Sequence, residues 1–366
     1  MKKQTTAFHG SDLEKIEAIY GIKKENIVNF AANVNPLGFS KKAAAALAAD
    51  LSVISRYPDP SYKALKEAIS QYTNANPENI ILGNGVTELL TLFLSMIKPK
   101  KAVIVGPTYS EYEKDLNRMS CEIAQINATE DRDFVLTADA IIKNTPEHTD
   151  LVILCNPNNP TSGALHKEEL IKLADAYQKS GTFLMIDETY VEFSLRSDDI
   201  SAAALTNHFD HLIVLRGTSK FFATPGLRLG YALTCNPSLL ASASSVQDPW
   251  NINSVAETVG SIMFTDREYI HLVRDTMEQE KNYIEAALSK IEGMKTFPVN
   301  GNIILAKLPK GSLTSDELFD ILIRQGMMIR SCTSFAPLGD RFIRICFMSH
   351  EDNVRLMKAI ENALKQ

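Results

Sequence analysis

The chain has 366 residues, of which 45% are hydrophobic and 22% charged, a balance that excludes a disordered or collagen-like chain. Thirty-eight Lys+Arg against 44 Asp+Glu leave a net charge of −6 with no long basic run, so neither a nucleic-acid footprint nor a nucleic-acid partner is expected. At roughly 150 residues per domain the length predicts two domains, large enough to bury a core without disulfide or metal staples.

The five cysteines (Cys121, Cys155, Cys235, Cys332, Cys346) are odd in number and never fall in a Cys-x-x-Cys pair, which argues against a disulfide framework and a zinc site and predicts a cytoplasmic protein with no metal. The opening MKKQTTAFHGSDLEK has no apolar run after its lysines, and the richest apolar stretch, Leu89 to Ile97, is too short to span a bilayer. Neither export nor membrane insertion is expected.

In chain order, the alanine-rich Ala43-Ala49 predicts a helix. From about 79 to 235, β-branched runs alternate with amphipathic stretches: Ile80-Leu82, Ala102-Val105, Leu151-Leu154, Thr182-Ile186, Leu212-Leu215 and Leu229-Leu233. Near-continuous apolar strands alternating with helices predict an α/β fold, a mostly parallel sheet covered on both faces. Beyond about 236, a helical stretch at 265 to 291 leads to a strand Ile303-Lys307, and a Thr314-to-Glu317 capping box opens a helix to Gln325. Strands Met327-Cys332 and Phe342-Phe347 and a terminal helix from about Ser349 complete a small α+β domain.

Several strands run into polar loops: GNGVTE, GPTYSEY, NPNNPTSG and DETY. Ligands of open α/β sheets collect at that carboxyl edge. Asp187 ends the run FLMID, and Lys220 follows HLIVLR in Gly217-Thr218-Ser219-Lys220, so a carboxylate and an amine converge where strands end. A partly desolvated amine forms a Schiff base with an aldehyde cofactor, and a carboxylate pairs with a protonated pyridine nitrogen; together they point to pyridoxal phosphate. Its phosphate needs donors, for which the helix start Gly85-Val86-Thr87, the Ser219 hydroxyl and the Arg228 guanidinium are placed. A dinucleotide fingerprint is the alternative for GNGVTE, but Glu88 stands where its third glycine would be.

Landmarks then accumulate: NVNPLG, RYPDPSY, GNGVTELL, PTYSEY, NPNNPT, DETYVEF, SKFFATPGLRLGY, and IRSC with FIRI near the C-terminus. In this order and spacing the chain resembles a fold-type I pyridoxal-phosphate enzyme of the aspartate aminotransferase superfamily, in the branch of histidinol-phosphate aminotransferase and threonine-phosphate decarboxylase. The resemblance implies a large, mostly parallel seven-stranded-type sheet domain at 41–275, and a small α+β domain formed by 1–40 with 276–366. It implies Lys220, Asp187 and Tyr190 as catalytic residues. Asn159 and Tyr190 would bond the 3′-oxygen of the ring and Tyr109 would stack on its face, with Tyr112 the alternative.

The same resemblance implies that backbone at Val86 and Thr87, beside Gly85, cradles the phosphate with Ser219 and Arg228, and that Thr218 or water makes the contact for which Gly217 lacks a hydroxyl. Tyr57 would reach it from a neighbouring subunit, which makes the expected assembly a homodimer. His9, Asn33, Asn159, Arg330 and Arg344 would bind a small anionic amino-acid substrate. Departures are Ser11 after His9-Gly10, Met348 in place of a further arginine, Gly217 where relatives place a hydroxyl, and the extra serine of NPTSG. The expected reaction is decarboxylation of a small phosphorylated or phosphonylated L-amino acid, O-phosphothreonine first, and the competitor is an aminotransferase using 2-oxoglutarate.

Overall fold

The computed structural model describes residues 8–365. Its main sheet has seven strands: β1 (Ile80–Gly83), β2 (Lys101–Gly106), β3 (Glu122–Asn127), β4 (Leu151–Cys155), β5 (Phe183–Asp187), β6 (Leu212–Gly217) and β7 (Gly230–Leu233). Their spatial order is β1-β7-β6-β5-β4-β2-β3. All pairs are parallel except those of β7, which runs antiparallel to β1 and β6. The central strands β4 and β6 are buried at every position, as their unbroken apolar runs require of a sheet covered on both faces.

The six strands expected between 79 and 235 are all present, and β3 is one that the sequence pattern did not disclose. Its EIAQIN run lies at the sheet edge, where only Ile126 is buried, so it lacks the near-continuous apolar run of the inner strands. Helix α1 (Val86–Ile97) follows β1 and buries Leu89, Leu90, Phe93 and Leu94, which accounts for the richest apolar stretch of the chain. Helix α2 (Glu111–Arg118) follows β2 and buries Tyr112 and Leu116. The long helix α3 (Arg267–Leu288) begins at an Asp266 cap and passes residue 275 without a break. Among the described residues, no helix is long and apolar enough to cross a membrane.

A second, antiparallel sheet holds β8 (Lys295–Thr296), β9 (Ile303–Lys307), β10 (Arg330–Ser331) and β11 (Phe342–Cys346) in the order β10-β11-β9-β8. The expected capping box is present, with Thr314 and Glu317 satisfying each other's backbone N–H at the start of helix Ser315–Ile323. The terminal helix is His350–Leu364. The expected strand Met327-Cys332 is instead two short ones. Met327–Met328 pairs in parallel with Val28–Asn29, while Arg330–Ser331 joins β11, so the segment changes partners at Ile329. That change draws the N-terminal residues against the second sheet, where the Phe30 carbonyl accepts from the Cys346 N–H at 2.9 Å.

Candidate active site

Three parallel strands set the centre of the site. In register, Cys155 at the end of β4 lies beside Asp187 at the end of β5, and Asp187 beside Leu215 of β6. The cleft above this edge has about 850 Å³ of empty space including its open mouth. Asp187 is 5% exposed and accepts three hydrogen bonds: from the Tyr112 hydroxyl at 2.6 Å, the Thr189 N–H at 2.9 Å and the Thr189 hydroxyl at 2.6 Å. Burial pushes its carboxyl pKa up, against the pull of these donors.

Lys220 points into the same cleft from the loop after β6, and its Nζ donates to the Ala32 carbonyl at 2.6 Å. Burial, with the Arg344 guanidinium as the second cause, brings its pKa down to about 8. Tyr190 is buried beside it, its hydroxyl accepting from Asn33 Nδ2 at 3.1 Å. Asn159 accepts from Arg344 through Oδ1 at 2.5 Å, and Arg344 also donates to the Ala31 carbonyl at 2.6 Å. Two buried polar atoms of this wall, Asn33 Oδ1 and Arg344 Nε, have no hydrogen-bond partner.

Arg330 and Arg344 are directly opposed across β10 and β11. Like charges in that relation repel. Arg330 is held on the Phe8 carbonyl and on Ser334 Oγ, the latter at 2.8 Å; burial first, and Arg344 second, bring its pKa to about 10. His9 lines the cleft and bonds Ser11 Oγ at 2.8 Å. Its pKa is lowered by burial, then by Arg330, Lys220 and Arg344. Asp187 is the sole acid among the described residues lining the cleft; Arg330 does not line it, and Asp12, which accepts the His9 N–H at 2.8 Å, favours the charged forms of His9 and Arg330.

The opposite wall is the N-terminus of α1, whose first N–H groups have no intrahelical acceptor. Gly85 has φ +90°, and a Cβ there would lie 2.5 Å from Arg228 Nη2. The absence of that carbon lets Arg228 reach the Asn84 carbonyl at 2.9 Å beside the N–H groups of Val86 and Thr87. Val86, Thr87, Ser219 and Arg228 all line the cleft. At Gly217 a Cβ would meet Val86 Cγ2 at 2.8 Å, so the valine fills the space beside this glycine.

Tyr109 lines the cleft, and its ring stands at 85° to that of Tyr112. Tyr112 lies behind it with its hydroxyl on Asp187, a different position from the stacking alternative considered for it. Thr218 is not brought to the cleft surface. It is fully buried, its Oγ1 donating to the Leu229 carbonyl at 3.1 Å and accepting from Thr224 Oγ1 at 2.9 Å, which leaves water as the alternative for the contact Gly217 lacks. Tyr57 is 80% exposed and packs on Trp250, with ring centroids 4.7 Å apart, outside the cleft of its own chain. The sequence reasoning missed Thr189 and the carbonyls of Ala31 and Ala32; for Thr189 the available signal was its place two residues after an aspartate, where a hydroxyl bonds back locally.

Residues 25–360 match the family described as aminotransferase class I and II. The chain belongs to that family. It is 31% identical to a threonine-phosphate decarboxylase of Salmonella typhimurium, over 97% of this chain and 96% of that one. It is 30% identical to a histidinol-phosphate aminotransferase of Methanosarcina mazei, covering 96% and 92%. The crystal structure of the histidinol-phosphate aminotransferase from Clostridium acetobutylicum superposes with a TM-score of 0.84 at 28% identity, covering 92% of this chain and 98% of that one. The fold is thus aspartate aminotransferase-like, and the protein is an enzyme of this superfamily whose cofactor is pyridoxal 5′-phosphate.

The residues present fit that cofactor: a buried amine, a buried carboxylate at a strand end, and a cradle at Gly85 that a Cβ would fill. A pH dependence follows from Lys220. Capture of an aldehyde needs the neutral amine, whose fraction grows as pH rises through a pKa of about 8. The initial rate of pyridoxal-phosphate uptake by the apo protein, followed by visible absorbance, should therefore rise steeply around pH 8 and flatten about one unit above it. In Arg344→Met the midpoint should move upward, because a neighbouring cation is gone.

Proposed function

We propose that the enzyme removes carbon dioxide from a small L-amino acid carrying a phosphate or phosphonate, with O-phospho-L-threonine the first candidate and phosphoserine and phosphonoalanine close variants. The observation that carries this reading is the cross-strand pair Arg330 and Arg344, two guanidiniums directly opposed with His9 nearby, of which Arg344 lines a cleft whose sole acid among the described lining residues is Asp187. A ligand with two separated anionic groups relieves that repulsion. The Salmonella relative, named for a phosphorylated substrate, supports the same class.

When bound, pyridoxal phosphate supplies an electron sink that makes bonds to the substrate's α-carbon labile. Asp187 would hold the proton of the ring nitrogen, Asn159 and Tyr190 would bond the ring oxygen, and Tyr109 would lie against the ring. The N–H groups at Gly85, Val86 and Thr87, with Ser219 and Arg228, hold the cofactor phosphate. Arg344 takes the substrate carboxylate; Arg330, His9 and Asn33 serve its phosphate end. Lys220, which lines the same cleft, would serve as proton donor to the α-carbon. The sheet region 41–275 then carries the cofactor, while 1–40 and 276–366 bring the substrate cations.

A homodimer belongs to this reading. Leu51, Ile54, Tyr57 and Val246 are 58 to 80% exposed on one chain, and a second copy covering them would bring Tyr57 to its neighbour's phosphate cradle. The second reading is an aminotransferase of histidinol-phosphate type, favoured by the Methanosarcina relative, in which Lys220 shuttles a proton from the α-carbon instead.

O-phosphothreonine, phosphoserine, phosphonoalanine and histidinol phosphate, each supplied with and without 2-oxoglutarate, separate the two. Carbon dioxide release that needs no keto acid is the expected result. Fast glutamate formation from histidinol phosphate would overturn it.

A further inference from the structure

In the loop after β4, Ser162 stands at the seam between the two sheets. It is fully buried with φ +60°. Its Oγ accepts the backbone N–H of Asn300 and of Gly301, each at 3.1 Å, and its carbonyl accepts from Asn300 Nδ2 at 3.0 Å. Its own N–H donates to the Asn158 carbonyl at 2.7 Å, so the loop that grips 300–301 is the loop that presents Asn159. On the other side, Asn302 donates to the Asn33 carbonyl at 3.0 Å and leads directly into β9, where Leu305 is the register partner of Arg344.

Two contacts therefore cross the same seam, Ser162 to Asn300 and Gly301, and Asn159 to Arg344. Gly301 also backs Tyr190, since a Cβ there would lie 3.4 Å from Tyr190 Cβ. A rigid supporting contact of this kind decides whether a binding group stands at its working distance before the ligand arrives.

We propose that Ser162 is a positioning residue that fixes the small sheet against the Asn159 loop and so holds Arg344 ready for the substrate carboxylate. This rests on the assignment of Arg344 as the substrate's anchor. Removing the Ser162 hydroxyl leaves the half-buried Asn300 N–H and the buried Gly301 N–H without their acceptor and loosens the seam rather than the cofactor cradle.

The test compares wild type, Ser162→Ala and Ser162→Gly as pyridoxal-phosphate-loaded proteins; glycine accepts the positive φ without strain, so folding is protected in at least that variant. Affinity for O-phospho-L-threonine is taken from the change in the cofactor band on titration, which requires binding but no turnover. Hydrogen exchange at the Asn300 and Gly301 amides is measured on the same samples. Both variants should bind O-phospho-L-threonine about tenfold more weakly, about 1.4 kcal/mol, with faster exchange at those amides, cofactor affinity within about threefold of wild type and kcat within about twofold. Unchanged ligand affinity in both variants, or a parallel loss of ligand and cofactor affinity, overturns the proposal. A wild type that binds O-phosphothreonine without releasing carbon dioxide fails the decarboxylase reading and leaves the comparison of ligand affinities to judge Ser162.

Discussion

Lys220→Ala is expected to purify as a folded protein without the visible absorbance band of the loaded enzyme, and to turn over substrate at least about 10⁴-fold more slowly, the upper range for one general acid–base group. The reasoning starts from the electrostatics of the apo cleft. Lys220 is held on the Ala32 carbonyl, and burial with the Arg344 charge lowers its pKa to about 8, so an ammonium is poorly tolerated at that place. Such an amine serves function at a cost in stability, and its replacement by alanine should leave the thermal midpoint of the apo protein unchanged or raised. Lys220→Arg keeps a cation but no nucleophilic amine, and it should be equally colourless. A coloured Lys220→Ala, or one that retains more than a few per cent of activity, would remove Lys220 from the chemistry.

Asp187→Asn should cost about 10² to 10³ in turnover, the range found when one preorganised electrostatic partner is lost. The amide has nearly the same shape and can still accept from Thr189, but it lacks the negative charge that keeps a ring nitrogen protonated. Tyr112→Phe tests the same carboxylate from behind. Loss of the 2.6 Å hydrogen bond from Tyr112 removes a donor that stabilises the ionised form, so the Asp187 pKa, already raised by burial, rises further. Because the ionised carboxylate is the working form, the acid limb of the pH–rate profile should move to higher pH in Tyr112→Phe, with a smaller loss of maximal rate than in Asp187→Asn. Equal activity of Asp187→Asn and wild type across that profile would contradict the role given to Asp187.

The parts of the site that depend on side-chain identity at a strand end were legible before the structure. Asp187, Lys220, Arg228 and the glycine at 85 each have a chemical reason to stand where they do, and the alternation of apolar runs locates them at one sheet edge. What stayed hidden depends on backbone or on register. The carbonyls of Ala31 and Ala32 hold Arg344 and Lys220, yet every residue carries such a carbonyl and nothing in the side chains marks these two. Sequence placed Arg330 and Arg344 on neighbouring strands, but their direct opposition follows from a register fixed only by pairing.

Thr218 shows a choice that sequence leaves open. A hydroxyl two residues before the lysine looks available in sequence, while the fold turns it inward to the Leu229 carbonyl. Strand β3 was missed because an edge strand with one buried face needs few apolar residues, and EIAQIN has few.

The most direct test of the reaction assignment follows O-phospho-L-threonine in deuterium oxide with the pyridoxal-phosphate-loaded enzyme and no keto acid. Decarboxylation predicts stoichiometric carbon dioxide and a phosphorylated amine carrying one deuterium on the former α-carbon, over many turnovers. A keto-acid product with the carboxylate retained, stopping after one turnover unless 2-oxoglutarate is added, would contradict it.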